Sequence, residues 1–222
     1  MDASLATLDD FDGVLSLLLE EFIVHEPITA AVEMKPEDIK KRFEYLIKTS
    51  IQSNATIVIK DENGVVIGAN VCQYLERPKP GKEKLIDSDE NSLTPQKLGI
   101  IHGLLNKLSV NKWDIIPSDI DKVLYMIIIC VRPSQYRKGL AKILVEYTED
   151  EMRKNGVRGI IVEGTALNSQ KLLARLEYKI LNVLRHEDYM DSQGKRIFNC
   201  SDGTDRAELR FKRIGYASTS KL

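Results

Sequence analysis

The sequence predicts an α/β (α+β) protein with one mixed central β-sheet of about seven strands flanked by helices. Residues 122–131 are apolar on both faces and rich in β-branched side chains, which is typical of a central strand buried on both sides. Around this strand, the hydrophobic patterns predict elements in the order β, α, α, β, β, insertion, β, α, β, α, β, β. We therefore expect helices to pack against the faces of a single sheet.

The N-terminal segment predicts a short strand followed by a helix. Residues 3–8 are interpreted as the strand, and Asp9 or Asp10 is expected to cap the helix. Pro27 disfavours the helical conformation for Glu26, so we expect the helix to end there and a loop to begin.

The next segment predicts a second helix and a hairpin. Pro36 opens the helix at a position where proline is favourable, and acidic residues follow at the positive end of its dipole. Residues 55–60 and 65–73 are expected to pair as strands, because Asn63-Gly64 between them is typical of a tight turn.

The composition of the sequence changes at residues 76–119. Their first part is proline-rich and charged, so we expect an exposed insertion within a single domain that spans residues 1–222. Residues 95–111 carry a helical pattern, which Gly99 and Gly103 weaken. The last two strands are predicted at 180–185 and 207–214.

The composition indicates a globular protein without a strongly charged partner. Of 222 residues, 43% are apolar, enough for a good-sized core, and the formal charge of −1 gives no reason to expect nucleic acid or a membrane as partner. No apolar run reaches the length of a membrane span. Cys72, Cys130 and Cys200 are widely spaced and odd in number, which argues against disulfides and a metal site. We expect a cytoplasmic protein.

A basic turn that contains glycine connects the central strand to an amphipathic helix. Leu140, Ile143, Leu144 and Tyr147 lie at i, i+3, i+4 and i+7 in that helix. The first N–H groups of a helix lack partners and lie at the positive end of its dipole, an arrangement that binds phosphate groups. The chain has no GxxxxGK[ST] motif and no GxGxxG after a strand, so this candidate phosphate site is of a different kind.

The turn resembles the (Gln/Arg)-x-x-Gly-x-(Gly/Ala) signature of the GNAT superfamily of acyl-CoA-dependent N-acyltransferases, except that Tyr136 replaces Gln or Arg. The resemblance implies the GNAT fold and acetyl-CoA as cosubstrate. It also implies that main-chain groups of Cys130 and Val131 bind pantetheine as an added strand would, and that the Val131 N–H donates to the oxyanion. The coenzyme contacts that it implies beyond these are Tyr136, Arg137, Lys138, Gly139, Leu140, Ala141 and Asn168.

Three further stretches resemble the insect- and nematode-type arylalkylamine N-acetyltransferases, which acetylate dopamine, serotonin and related amines. They are His25-Glu26-Pro27-Ile28, Asp119-Ile120-Asp121-Lys122 and the run 191–198 before the last strand. This resemblance implies that the partner is a small-molecule amine.

Acetyl transfer to an alkylamine requires a base. With a pKa near 10, roughly one amine molecule in a thousand is unprotonated at neutral pH. Converting the protonated molecules to the reactive free amine is worth about 4 kcal/mol. A carboxylate at the C-terminal end of a helix lies against negative dipole ends, which raises its pKa. Glu26 has that position, and the resemblance implies that it is the base, acting through water. His25 is the competing candidate, because its ordinary pKa suits the task.

The departing thiolate requires a proton. Many superfamily members use a tyrosine in the helix after the fifth strand, where this chain has Leu173, and Glu177 replaces a family glycine nearby. The arylalkylamine subfamily places hydroxyl groups at two positions four residues apart, here Thr165 and Ser169, which implies catalytic roles for both. Helix capping by Asn168 and Ser169 is the alternative interpretation.

The sequence thus predicts an acetyl-CoA-dependent N-acetyltransferase that acts on a primary amine, expected to be an arylalkylamine, by direct attack in a ternary complex. One alternative is the same reaction on a polyamine, an amino sugar or a protein amine, with Glu20, Glu21 and Glu26 as the nearby acids. Another is a coenzyme A binding module that has lost efficient catalysis. The oligomeric state cannot be derived from the sequence.

Overall fold

The computed structural model describes residues 2–79 and 96–215, so residues 80–95 of the expected insertion lie outside the described residues. A seven-stranded sheet with the order β1-β2-β3-β4-β5-β7-β6 lies at its centre. The strands are β1 (Ala3–Leu5), β2 (Thr56–Lys60), β3 (Val66–Glu76), β4 (Lys122–Val131), β5 (Gly159–Gly164), β6 (Lys179–Arg185) and β7 (Arg206–Arg213). Only β4 and β5 run parallel among neighbouring strands, so the expected mixed sheet is confirmed.

Helices cover both faces of the sheet. They are α1 (Phe11–Leu17), α2 (Ile23–His25), α3 (Pro27–Ala31), α4 (Pro36–Gln52), α5 (Gln96–Ser109), α6 (Lys112–Ile115), α7 (Leu140–Lys154) and α8 (Leu167–Arg175). The first face carries α1, α4 and α5, and the second carries α7 and α8. In the described part of the chain, no helix is both long enough and apolar enough to cross a lipid bilayer.

The segment around Glu26 differs from the expectation. A π-helical turn, Leu18–Phe22, joins α1 to α2. Glu26 then adopts an extended conformation (φ −77°, ψ 122°), and Pro27 begins the short helix α3 where a loop was expected. Proline is well suited to the first position of a helix, because the N–H group that it lacks would have no partner there.

Helix α5 shows that the second part of the expected insertion is not exposed. Its inner face contributes Leu98, Ile101, Leu104 and Leu108 to the main core. Gly103 is required by a close contact: a Cβ atom there would lie 2.5 Å from the hydroxyl of Tyr189, which donates to the Ile100 carbonyl (3.1 Å). The packing of the apolar face therefore outweighs the low helix propensity of glycine.

Strands β4 and β5 separate partway along their length. Their parallel pairing ends at Met126 and Val162. Beyond this point β4 continues to Val131 against β3, and β5 continues to Gly164 against β7. We call the gap between residues 127–131 and 163–165 the β4–β5 opening.

Glu177, which follows α8, has a left-handed backbone (φ +64°) and an exposed side chain. Residues other than glycine are strained in this conformation. We expect Glu177→Gly to raise the free energy of unfolding by about 1 kcal/mol in urea denaturation. The control is Lys171→Gly, exposed inside α8, which should lower it by about 1 kcal/mol. A less stable Glu177→Gly variant would contradict the assignment of strain.

Candidate active site

The main chain at the end of β4 faces the β4–β5 opening at alternate residues. The N–H of Arg132 donates to the Ile67 carbonyl (2.8 Å), so Arg132 faces β3. Because antiparallel strands present their main-chain groups alternately to the two edges, Val131 faces the opening and Cys130 faces Ala69 in β3. The register thus agrees with the expected role of Val131 and contradicts the expected main-chain role of Cys130.

The Cys130 thiol itself is buried. Burial raises its pKa to about 12, so it is not a ready nucleophile.

The turn before α7 carries a series of N–H groups without partners. Within residues 2–79 and 96–215, the main-chain N–H groups of residues 137–142 form no hydrogen bonds. Left-handed conformations at Arg137 (φ +62°) and Gly139 (φ +79°) shape this turn. Tyr136 differs from the expectation, because its N–H already donates to the Pro133 carbonyl (3.1 Å). Five of the six predicted turn residues, 137–141, therefore offer an N–H group to an anion.

The carboxylate of Glu26 is buried (8% exposed) and fully hydrogen-bonded. Oε2 accepts the N–H (2.7 Å) and the hydroxyl (2.5 Å) of Thr29, and Oε1 accepts the Ile28 N–H (3.4 Å). The fourth donor is the hydroxyl of Thr165, 2.8 Å from Oε1. A carboxylate has about four acceptor positions, so all of them are occupied. Two of the predicted catalytic residues, 139 positions apart in sequence, are therefore in direct contact.

The pKa of Glu26 is raised, because burial penalises the charged carboxylate. The hydrogen bonds from Thr29, Thr165 and Ile28 act in the opposite direction. The expected direction is therefore found, with burial as its largest cause. Glu26 lies at the C-terminal end of α2, as expected, but it also caps the N-terminus of α3, whose dipole favours the charged form.

Ser169 and Asn168 lie in the first turn of α8. Ser169 is half-buried, Asn168 is exposed, and neither caps the helix. Instead, the Asp202 carboxylate accepts the Leu167 N–H (2.9 Å), so the capping interpretation is wrong. Leu173, at the position of the missing tyrosine, is fully buried in the core.

The competing base, His25, is about half exposed. Its Nε2 lies 3.6 Å from the Glu21 carboxylate. The same carboxylate accepts from Nη1 of Arg132 (3.2 Å), which also binds Glu20 (3.0 Å). Two of the three acids expected to attract a polyamine are thus already paired with a cation.

Two side chains that the sequence reasoning missed lie near Thr165, on the face covered by α1, α4 and α5. Tyr125 in β4 donates its hydroxyl hydrogen to Oε2 of Glu163 in β5. Tyr125, Glu163 and the nearby Ile127 are all partly exposed, although they lie on central strands. Glu163 is the single charged residue in β5, which is the signal that could have drawn attention to it.

Cys200 lies close to Glu26, and His186 lies beside Cys200. Cys200 Sγ is 3.7 Å from His186 Nδ1, and the charge of Glu26 contributes to raising the pKa of Cys200, although burial is the larger cause. His186 is fully buried beside Phe198, with ring centroids 5.5 Å apart. This packing is typical of a structural histidine.

Comparison with known proteins identifies the family. The model of the acetyltransferase (GNAT) family matches residues 13–178. The structure is similar to arylalkylamine N-acetyltransferase 2 from Aedes aegypti, with a TM-score of 0.84 and 22% identity over 96% of this chain and 98% of that one. It is also similar to the polyamine N-acetyltransferase of Drosophila melanogaster, with a TM-score of 0.80 and 19% identity over 96% of this chain and 99% of that one.

No curated sequence gives a significant match. At such low identities the similar structures establish the fold, whereas the family match covers well over half of the sequence. The chain belongs to the acetyltransferase (GNAT) family.

Proposed function

We propose that this protein transfers the acetyl group of acetyl-CoA to a small-molecule primary amine, with an arylalkylamine as the acceptor. One observation carries the proposal. The β4–β5 opening adjoins two sites of complementary chemistry: the unpaired N–H groups of residues 137–142 and the hydrogen-bonded pair of Glu26 and Thr165. The first site fits a diphosphate, and the second fits an amine that must lose a proton.

The residues around the opening fit acetyl-CoA. The N–H groups of 137–141 would hold the diphosphate, and the main chain of Val131 would pair with the pantetheine amides along the free edge of β4. When bound, acetyl-CoA supplies an acetyl thioester. The Val131 N–H is then the donor for the thioester oxygen, where negative charge develops.

The proton of the amine reaches Glu26 through Thr165. All four acceptor positions of the Glu26 carboxylate are occupied, so the ammonium group meets the Thr165 oxygen instead. Thr165 accepts that proton on a free lone pair while its own hydroxyl proton moves to Oε1 of Glu26. The N–C bond then forms and the C–S bond breaks. The second nitrogen proton goes to the thiolate, with the Ser169 hydroxyl as the candidate carrier.

The charges around the opening favour an acceptor with one ammonium group. Arg132 neutralises Glu20 and Glu21, which leaves only Glu26 of the three acids that a polyamine would use. A second buried ammonium would therefore lack a partner among them, and burying an unpaired charge is costly. This supports the arylalkylamine over the polyamine alternative.

The pH dependence of the reaction tests Glu26 as the base. With acetyl-CoA and tyramine, thiol release should rise with pH through a pKa above the ordinary carboxyl value of 4.5, because Glu26 acts only when deprotonated. Glu26→Gln should lower kcat/KM at least about 100-fold and remove this limb of the profile. The control, Glu33→Gln, changes an exposed carboxylate and should have no effect. An unchanged rate and profile in Glu26→Gln would refute the assignment.

Thr29 offers a subtler test, because it contacts the carboxylate without facing the substrate. Its hydroxyl hydrogen bond lowers the pKa of Glu26. Thr29→Val removes that bond, so the pKa should rise and kcat/KM should increase only at higher pH than in the wild type. Thr49→Val removes a hydroxyl that donates within α4 and accepts from Gln73, and it should leave the profile in place. A shift to lower pH in Thr29→Val would contradict the proposed electrostatics.

Gly139 tests the diphosphate site. Gly139→Ala should strain the left-handed turn (φ +79°) and misplace its N–H groups, raising the Kd for coenzyme A about tenfold in calorimetric titration. Gly64 in the β2–β3 hairpin has the same conformation (φ +80°), and neither glycine has a neighbour that a Cβ would meet. Gly64→Ala should thus lower stability to a similar extent without changing the Kd. Equal affinities in both variants would overturn the site.

The thiol-release assay also distinguishes catalysis from a coenzyme binding module. Coenzyme A binding without thiol release for any arylalkylamine, polyamine or peptide amine would favour the module. Activity restricted to peptide or polyamine acceptors would instead favour the alternative acceptors.

A further inference from the structure

Glu163 is a carboxylate near the β4–β5 opening that the proposed reaction does not use. It lies two residues before Thr165 on the same face of β5, and Oε2 accepts the hydroxyl of Tyr125. The Ser109 hydroxyl also forms a hydrogen bond with this carboxylate. Glu163 is therefore a partly exposed residue whose carboxylate is held by hydroxyl groups.

Glu163 belongs to a row of partly exposed side chains on the two central strands. Tyr125, Ile127, Glu163 and Thr165 are all partly exposed, while the intervening Met126, Val162 and Gly164 are buried. We call these four side chains the floor of the site. The floor thus extends from the Glu26–Thr165 pair to Glu163.

Glu163 also differs from most inner carboxylates, because no cation among the residues that the structure describes lies within 4.0 Å of it. The buried acids with such partners are Asp10 with Lys60, Glu149 with Lys212 and Glu208 with Arg210. In the described part of the chain, Glu163 shares its lack of an ion pair with Glu26. Burial raises the pKa of Glu163, while Tyr125, Ser109 and the charge of Lys112 oppose that shift. The pKa of the neighbouring Tyr125 lies well above its usual value, chiefly because of burial, and the charge of Arg42 opposes that rise.

We infer that Glu163, positioned by Tyr125, is a specificity-determining residue that accepts a hydrogen bond from a hydroxyl group at the far end of the amine substrate. This inference rests on the proposed function. With the amine at Thr165, the far end of the substrate lies along β5, where two residues span roughly 6.6 Å. That distance is comparable to the length of a hydroxyphenylethylamine between its nitrogen and its hydroxyl.

The hydroxyl fits this position better than a second ammonium does. Ile127 and the Tyr125 ring make the floor largely apolar, which suits an aromatic ring. Lys112 already offsets part of the charge of Glu163, so a buried ammonium would gain less there. A phenolic hydroxyl donating to a carboxylate makes a strong, charge-assisted hydrogen bond without adding charge to the site.

Steady-state kinetics with matched amines test the inference. Tyramine carries the hydroxyl, phenethylamine lacks it, and putrescine carries a second ammonium. In Glu163→Gln, KM for tyramine should rise about tenfold, because a hydrogen bond to a charged acceptor is lost, while kcat and the phenethylamine KM stay unchanged. Tyr125→Phe should raise the tyramine KM about threefold, because Glu163 loses the hydrogen bond that positions it. This second variant keeps the test available if Glu163→Gln does not fold. The exposed Glu187→Gln is the control.

Each outcome of these measurements decides a different question. No acetylation of any amine by the wild type would refute the proposed function itself. Acetylation of both aromatic amines, with the same effect of Glu163→Gln on each or no effect at all, would overturn only the role of Glu163. A larger KM effect for putrescine than for tyramine would also overturn it, in favour of a second cation at this position.

Discussion

The early separation of β4 from β5 is the constraint on which the rest of the site depends. Buried main-chain groups require hydrogen-bond partners, and a sheet normally supplies them from the next strand. Here β3 holds one strand and β7 holds the other, so residues 127–131 keep an edge without a strand partner in the described structure. An extended ligand can satisfy that edge as a strand would. The same separation places Val131 near the turn at 137–142 and leaves Thr165 beside the gap.

The Glu26 carboxylate has a structural task and, in the proposed function, also a chemical one. It caps α3, which fixes the chain between the first two long helical segments, and it receives the hydroxyl of Thr165 from the far side of the gap. The four donors oppose the rise in the pKa of Glu26 that burial produces. A carboxylate with free lone pairs would bind an ammonium group directly. Because these lone pairs are occupied, the proposed reaction assigns the contact with the substrate to Thr165.

The sequence predicted the elements whose signal is local. The two-sided burial of 122–131 identified the central strand, and the glycine-containing basic turn before a helix identified a phosphate site at 136–141, which the structure places at 137–142. Helix α3, which begins at Pro27 directly after Glu26, was missed, because its stability comes from a side-chain cap that no hydrophobic period reveals. The contact between Tyr125 and Glu163 joins positions 38 residues apart, so local patterning cannot detect it. The prediction for Cys130 was wrong for a geometric reason. Successive residues of a strand present their main-chain groups to opposite edges, and the sequence does not show which edge Cys130 faces.

The partners of the acidic side chains around the β4–β5 opening link the fold to the proposed substrate. Arg132 follows directly after β4 and forms ion pairs with both Glu20 and Glu21. These two acids therefore hold the first helical segment to the sheet and are not free to attract another cation. Deeper in, Glu26 and Glu163 have hydroxyl donors but no ion pair within the described residues. A carboxylate held by hydroxyl groups can exchange hydrogen bonds with a substrate without breaking a salt bridge, which would cost several kcal/mol when buried. In the proposed reaction, the interior of the site would therefore receive two donors without a second charge: an amine at Thr165 and a neutral donor further along β5.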